Sequence, residues 1–315
     1  MIFIINFQLK IGLMIFATLF FYSCGSTSIQ PTPSKTYSKA VLTMNQGVKW
    51  YEKGCYQKAI KLFWDANEQF SAVDLPEGVA VSLNSIGNAN HHLGEIDEAI
   101  LILKQSLIIY EQLNQPQKQI KNLSDIAATY LTVEDLKSAE EWIDKGEKLS
   151  KKWELDEVAL ILTKGIWLTH KKDYDQARKV LLSALDLVEP GDLATMGTSH
   201  AALGHLELEA GNLDAAQKYF VFALDADRQS GFYRGIADNL AELGQISIQQ
   251  NHTLAGLFYL QRSVKVYALL GDNTRVDQLL AQIKPLADSV DQDIRLTQTL
   301  THRWLKGEIG HHLCR

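Results

Sequence analysis

The sequence predicts an all-α fold, a stack of about six helix pairs followed by a C-terminal capping helix. Three observations predict it. Six times between Ala40 and Ser263, a small residue stands 12 positions before another small residue. The first members of these couples are spaced by 40, 40, 38, 39 and 40 positions. Apolar residues within each copy recur at helical spacing, while Pro76, Pro116 and Pro190 fall between copies. Self-similarity at such a period marks repeated units, each too small to bury its apolar face alone.

The couples are Gly47 and Ala59, Gly87 and Ala99, Ala127 and Ala139, Gly165 and Ala177, Gly204 and Ala216, and Gly244 and Gly256. A small residue on each of two facing helices lets their backbones approach, and larger apolar residues fill the space to the next pair. Gly54, Gly94 and Gly211 stand where a helix must end, at positions that favour the left-handed conformation. Asn251 takes that place in the sixth copy. The prolines are expected to terminate helices. The copies are placed at about residues 40–75, 80–115, 120–154, 158–191, 197–231 and 237–270. Beyond them, residues 271–315 hold the cap and tail. Residues 273–286 read as an amphipathic helix with Asn273 as N-cap and a stripe of Val276, Leu279, Leu280 and Ile283. A shorter helix is expected from Asp291 through Trp304.

The pattern resembles the tetratricopeptide repeat, W-x2-L-G-x2-Y followed by A-x3-F and a later Ala and Pro. Gly47, Trp50, Gly54, Tyr56, Ala59, Phe63 and Ala66 occupy the family positions in the first copy, and Leu203, Gly204, Gly211, Leu213, Ala216, Phe220 and Ala223 in the fifth. The period of 38–40 exceeds the family's 34, an excess expected to lengthen the second helix or the loop after it. The resemblance implies a right-handed superhelical solenoid whose first helices line a concave groove. Mapped onto this chain, the groove would present Tyr51, Asn84, Asn88, His91, Lys121, Leu162, Ile166, His205 and Gln245 to a partner. Asn84, Asn88 and His91 share one helix face, with amides suited to an extended peptide backbone. The family's Lys and Asn clamp for a C-terminal carboxylate is not expected, because Met44 and Val48 stand at its first-copy positions.

Charge narrows the classes further. The 315 residues are 46% hydrophobic and carry net −6, enough apolar content for a sizeable core. Residues 1–51 hold four lysines and no acid; without them, 27 basic residues face 37 acids, so residues 52–315 carry net −10. An acidic body without a Lys/Arg cluster argues against nucleic acid. Cys55 and Cys314 would pair only if the two ends of the stack met; an extended stack disfavours that, and both are expected as free thiols. Adjacent His91 and His92 diverge on a helix, and His200 and His205 lie five apart, a poor metal spacing. His311, His312 and Cys314 fall in a tail. No phosphate loop, nucleophile motif or paired-carboxylate signature is present, so neither catalysis nor a cofactor nor a metal is expected.

The N-terminus reads as an address. Residues 11–22, IGLMIFATLFFY, form an uncharged apolar run of 12 after Lys10. A membrane-crossing helix needs about 20 such residues, so the run suits a signal-peptide core over residues 1–23. With Ser23, Cys24 and Gly25 following, it resembles a bacterial lipoprotein signal, which implies lipidation of Cys24. Secretory cleavage near Gly25 or Ser26 and an uncleaved anchor are the other readings. Gly25 in place of Asp implies, by the same resemblance, the outer membrane. Residues 24–39 are rich in Ser, Thr and Pro and read as a flexible spacer. The chain is thus expected to be a noncatalytic scaffold or adaptor, lipid-anchored in the bacterial cell envelope, that holds a protein or peptide partner in its groove. The alternative is a regulator that responds to a bound peptide or ligand.

Overall fold

Helical periodicity continues through the chain, with fourteen helices and no strand among the described residues. The structure, a computed structural model, describes residues 35–309, 313 and 314. Six pairs run in order: α1 (Lys35–Glu52) and α2 (Tyr56–Ala72), α3 (Pro76–Leu93) and α4 (Ile96–Gln112), α5 (Pro116–Thr132) and α6 (Leu136–Trp153), α7 (Val158–His170) and α8 (Tyr174–Asp186), α9 (Leu193–Glu209) and α10 (Leu213–Ser230), α11 (Tyr233–Gln249) and α12 (Thr253–Leu270). They are followed by α13 (Asn273–Ser289) and α14 (Arg295–Leu305), both packed on α12. No helix among the described residues is long and apolar enough to cross a membrane.

The glycines that open the couples do the work assigned to them, each against a large side chain of the second helix. A methyl group built on Gly47 would lie 2.6 Å from the Phe63 ring, and one on Gly244 would lie 2.7 Å from the Leu260 side chain. For the five glycines that open a couple, the large residue sits 16 positions on, at Phe63, Leu103, Leu181, Phe220 and Leu260, and Ile143 holds the equivalent position after Ala127; all six are buried. Each contributes about 1.5–3 kcal/mol by burial, and together they form the spine of the core.

The turns are as regular as the helices. Every junction from α1 to α14 contains one residue with positive φ: Gly54, Asp74, Gly94, Asn114, Glu134, Glu154, Lys172, Gly191, Gly211, Gly231, Asn251, Gly271 and Asp291. Such a residue reverses the chain in two or three positions and satisfies the last carbonyls of the helix before it. Gly94, for example, donates its N–H to the carbonyl of His91.

Several expectations change in detail. The stretched period goes into both helices, 17 or 18 residues each outside the fourth pair, rather than into the second helix or a loop. Pro76 and Pro116 start α3 and α5 rather than end the helices before them, because the missing N–H and fixed φ of proline suit the first helical turn. The first helices therefore begin at residues 35, 76, 116, 193 and 233, four or five positions earlier than placed. The cap of α13 is Asp272, whose carboxylate accepts from the N–H of Arg275; Asn273 is the first helical residue. His91 and His92 do not diverge: their rings meet edge to face at 5.1 Å.

The largest correction concerns the two ends. Cys55 and Cys314 form a disulfide, with Cα atoms 5.2 Å apart and 259 positions between them. Cys55 is buried just before α2. Leu313 N–H donates to the carbonyl of Leu269 at 2.9 Å, which seats the tail against α12. The turn of the first pair also meets the sixth: a Cβ on Gly54 would lie 2.7 Å from Cβ of Arg234, on α11. The stack is curved enough that its first and last pairs touch, a consequence of summed small rotations that no single copy displays. Cys24, His311 and His312 lie outside the described residues.

Candidate binding surface on the first helices

The first helices of successive pairs lie side by side, and polar side chains bridge them, among them Asn84, Asn88, His91 and Gln245 of the expected groove. Asn84 and Asn88, one turn apart on α3, both donate to Oδ2 of Asp125 on α5, at 2.8 and 2.9 Å. His91 Nδ1 lies 3.1 Å from the Thr129 hydroxyl, also on α5. Ser124 and Thr163 join hydroxyls between α5 and α7 at 2.9 Å. Gln245 on α11 donates to Gln282 on α13 at 2.7 Å. The bridging residues stand 37 to 41 positions apart, one period of the repeat.

This arrangement alters the expected role of two residues. Asn84 and Asn88 present amides that are only partly free, since one N–H of each is spent on Asp125. Among the described residues no donor reaches their Oδ1 atoms, so each amide keeps its acceptor and one N–H for a ligand. Burial pushes the Asp125 carboxyl up to about 6, against the Asn88 hydrogen bond and the charge of Lys121. Leu162 is no groove residue; it is buried among Leu168, Leu181 and Leu203 in the core between the fourth and fifth pairs. Ile166 is half-buried beside that core, while Lys121 and His205 are exposed.

A second cluster forms where the chain closes on itself. Tyr56 stacks on His92 at 4.6 Å and meets Tyr51 edge-on at 5.2 Å. Arg234 sits between the rings of Tyr56 and Tyr267, at 5.7 and 5.6 Å, and donates to Asp272 at 2.6 Å. The Tyr267 hydroxyl donates to Asp238. Burial raises the pKa of Tyr51, of Asp238 and of Glu242, which lies one turn along α11. The His92 ring is packed against Tyr56, Tyr51 and His91, and desolvation, then the charges of His91 and Arg234, disfavour its charged form. The Tyr56 hydroxyl and Arg234 Nε are buried without a partner among the described residues.

Asp125 and Arg234 were not expected as site residues, and His92 was expected only to diverge from His91. Asp125 is meaningful only when α3 and α5 are aligned by one period. Arg234 matters because the first and sixth pairs touch. Chemically, the surface offers hydrogen-bond acceptors, carboxylates of raised pKa and aromatic faces. Among the described residues, no group of three or more His, Cys, Asp or Glu is placed to hold a metal ion.

A tetratricopeptide-repeat family model matches residues 79–117, which span α3 and α4 and the turn to α5. A signal-transduction ATPase with numerous domains and a tetratricopeptide repeat sensor, from Pyrococcus horikoshii, superposes over 86% of this chain with a TM-score of 0.55 and 17% identity. The fold is of the tetratricopeptide-repeat type. This chain corresponds to 45% of that ATPase, under half its length. A Rap protein complexed with competence and sporulation factor matches over 86% of this chain and 97% of its own, with a TM-score of 0.52 and 14% identity. Identities this low show a shared tetratricopeptide-type architecture and nothing finer. No curated protein matches the sequence.

Proposed function

We propose that this tetratricopeptide-type solenoid is a noncatalytic adaptor that binds an extended peptide of a partner protein along its first helices. The observation that carries the reading is the bridged polar strip from Asn84 and Asn88 through Asp125. It holds two amides one turn apart on α3, each with an oxygen and one N–H not spent on Asp125, as hydrogen bonding to an extended backbone requires. Proteins of this fold generally mediate protein–protein contacts.

The adaptor is further proposed to be held at the bacterial cell envelope by a lipid on Cys24, facing the periplasm from the outer membrane. The apolar run before Cys24 and the spacer after it support this reading. So does the Cys55–Cys314 bond, since disulfides persist in oxidising compartments and are rare in the cytosol.

A photo-crosslinking amino acid placed at position 51 or 88 should capture the partner peptide, and one at the exposed outer position 64 should not. Equal capture from all three positions would remove the groove assignment. Cys24→Ser should abolish lipid labelling and release the protein from membranes; unchanged fractionation and labelling would remove the anchor.

Contact between the first and sixth pairs favours a second reading, that of a regulator. An occupant that changes the curvature of the stack changes the Gly54–Arg234 approach. Binding would then alter protection of the 53–55 and 231–234 amides in hydrogen exchange; unchanged protection with ligand bound would leave the adaptor alone.

A further inference from the structure

The fourth pair breaks the rhythm of the stack. Its helices α7 and α8 have 13 residues each, and residues 154–157 take the place of the first turn that the other first helices have. Beside this short pair a cleft of about 560 Å³ opens between α6 and α7. That volume lies within the roughly 300–1,000 Å³ of ligand pockets.

We propose that this cleft binds an arginine- or lysine-bearing peptide segment of a partner protein, at a site separate from the strip on the first helices. Glu140, Asp144 and Glu147 follow one another at offsets of four and three on α6, forming a single acidic stripe along the cleft wall. Glu147 is engaged by Lys164 across the cleft, whereas Glu140 and Asp144 are exposed and meet no cation among the described residues. Buried Ile143 and Leu168 form an apolar floor. Trp167 is fixed at one end of the cleft, its indole N–H donating to the Leu136 carbonyl at 3.1 Å.

These parts match the two halves of a long cationic side chain. The apolar floor and indole face receive the methylene stem, and the free carboxylates receive the charged head. Lys171 already lies 5.1 Å from the Trp167 ring centroid, a cation–π contact within the protein itself. A single stripe of acids above an apolar floor suits a peptide bearing several cationic residues better than an isolated cation.

The test uses the full chain and a fluorescein-labelled hexa-arginine peptide, with binding followed by anisotropy. Hexa-glutamate serves as the negative probe. Glu140→Gln with Asp144→Asn should weaken hexa-arginine binding about fivefold or more, as expected for two partly solvated ion pairs. Asp97→Asn with Glu98→Gln, an exposed pair on α4, makes the same charge change and should alter binding less than twofold. Equal losses in the two variants, no loss in the first, or no binding by the unaltered chain would overturn the proposal. Equal affinity for arginine amide alone would overturn the peptide assignment. Variants of Asn84 and Asn88 should leave this binding unchanged, so the cleft and the strip fail or succeed separately.

Discussion

Cys55 and Cys314 are bonded across 259 positions, tying the turn of the first helix pair to the last described residues of the chain. In the unfolded chain that bond closes a loop of more than 250 residues, worth about 5 kcal/mol in a chain-entropy account, with measured disulfides giving about 2–4 kcal/mol. Cys55→Ser with Cys314→Ser should therefore lower unfolding stability by about 2–5 kcal/mol in urea titrations. A reducing agent should do the same to the unaltered protein and nothing to the variant. Coincident curves with and without reductant would show that the bond does not form.

Asp227 supplies a pH dependence. It is buried and accepts from Asn239 at 2.7 Å, and burial together with Asp238 raises its carboxyl to about 7. Its folded pKa thus lies above its unfolded value of about 3.9. The native state binds more protons between those values, so stability is greatest below about pH 4 for this group and falls as pH rises towards 7. Asp125, Glu157, Asp238 and Glu242 share the sign. Asp227→Asn should flatten the decline by about 1–3 kcal/mol when stability at pH 5 and pH 8 is compared. A steeper decline in the variant would contradict the assignment.

Glu207 is buried on α9 and held by Arg178 from α8, through Nε at 2.6 Å and Nη2 at 3.0 Å, and by Asn212 at 2.7 Å. Arg178→Met leaves that carboxylate without its cation between the fourth and fifth pairs. The loss should be about 2–4 kcal/mol, less than for a wholly buried pair because Arg178 is partly solvated. Adding Glu207→Gln should recover part of it, which a purely steric defect would not allow.

Glu134 holds φ at 56°, at the turn position that Gly54, Gly94 and Gly211 occupy in other copies. A left-handed residue with a Cβ costs about 1–2 kcal/mol, partly offset by the extra freedom glycine has when unfolded, about 0.4–1 kcal/mol. Glu134→Gly should therefore raise the melting temperature slightly, and a lower melting temperature would argue for a compensating contact by the glutamate.

Much of the fold was legible because its determinants repeat. The couples of small residues fixed each helix pair, and Gly54, Gly94, Gly211 and Asn251 marked four turns. Asp74, Asn114, Glu154 and Lys172 take the same backbone conformation without glycine, so composition alone did not mark those turns. The surface was less legible because its contacts cross the period: Asp125 acquires meaning from Asn84 and Asn88, 41 and 37 positions earlier. Closure was the least legible. Curvature accumulates from small rotations at every interface, so neither the Cys55–Cys314 bond nor the place of Arg234 follows from any one copy.

The approach of Gly54 to Arg234 also sets a count. An open array of repeats tolerates one unit more or less, since each copy answers only to its neighbours. Here the first turn must arrive at α11 after five intervening steps. Inserting or deleting a helix pair would carry Arg234 past Gly54 and separate the two cysteines. The number of repeats in this chain is therefore part of its structure in the way a ring size is part of a cyclic molecule.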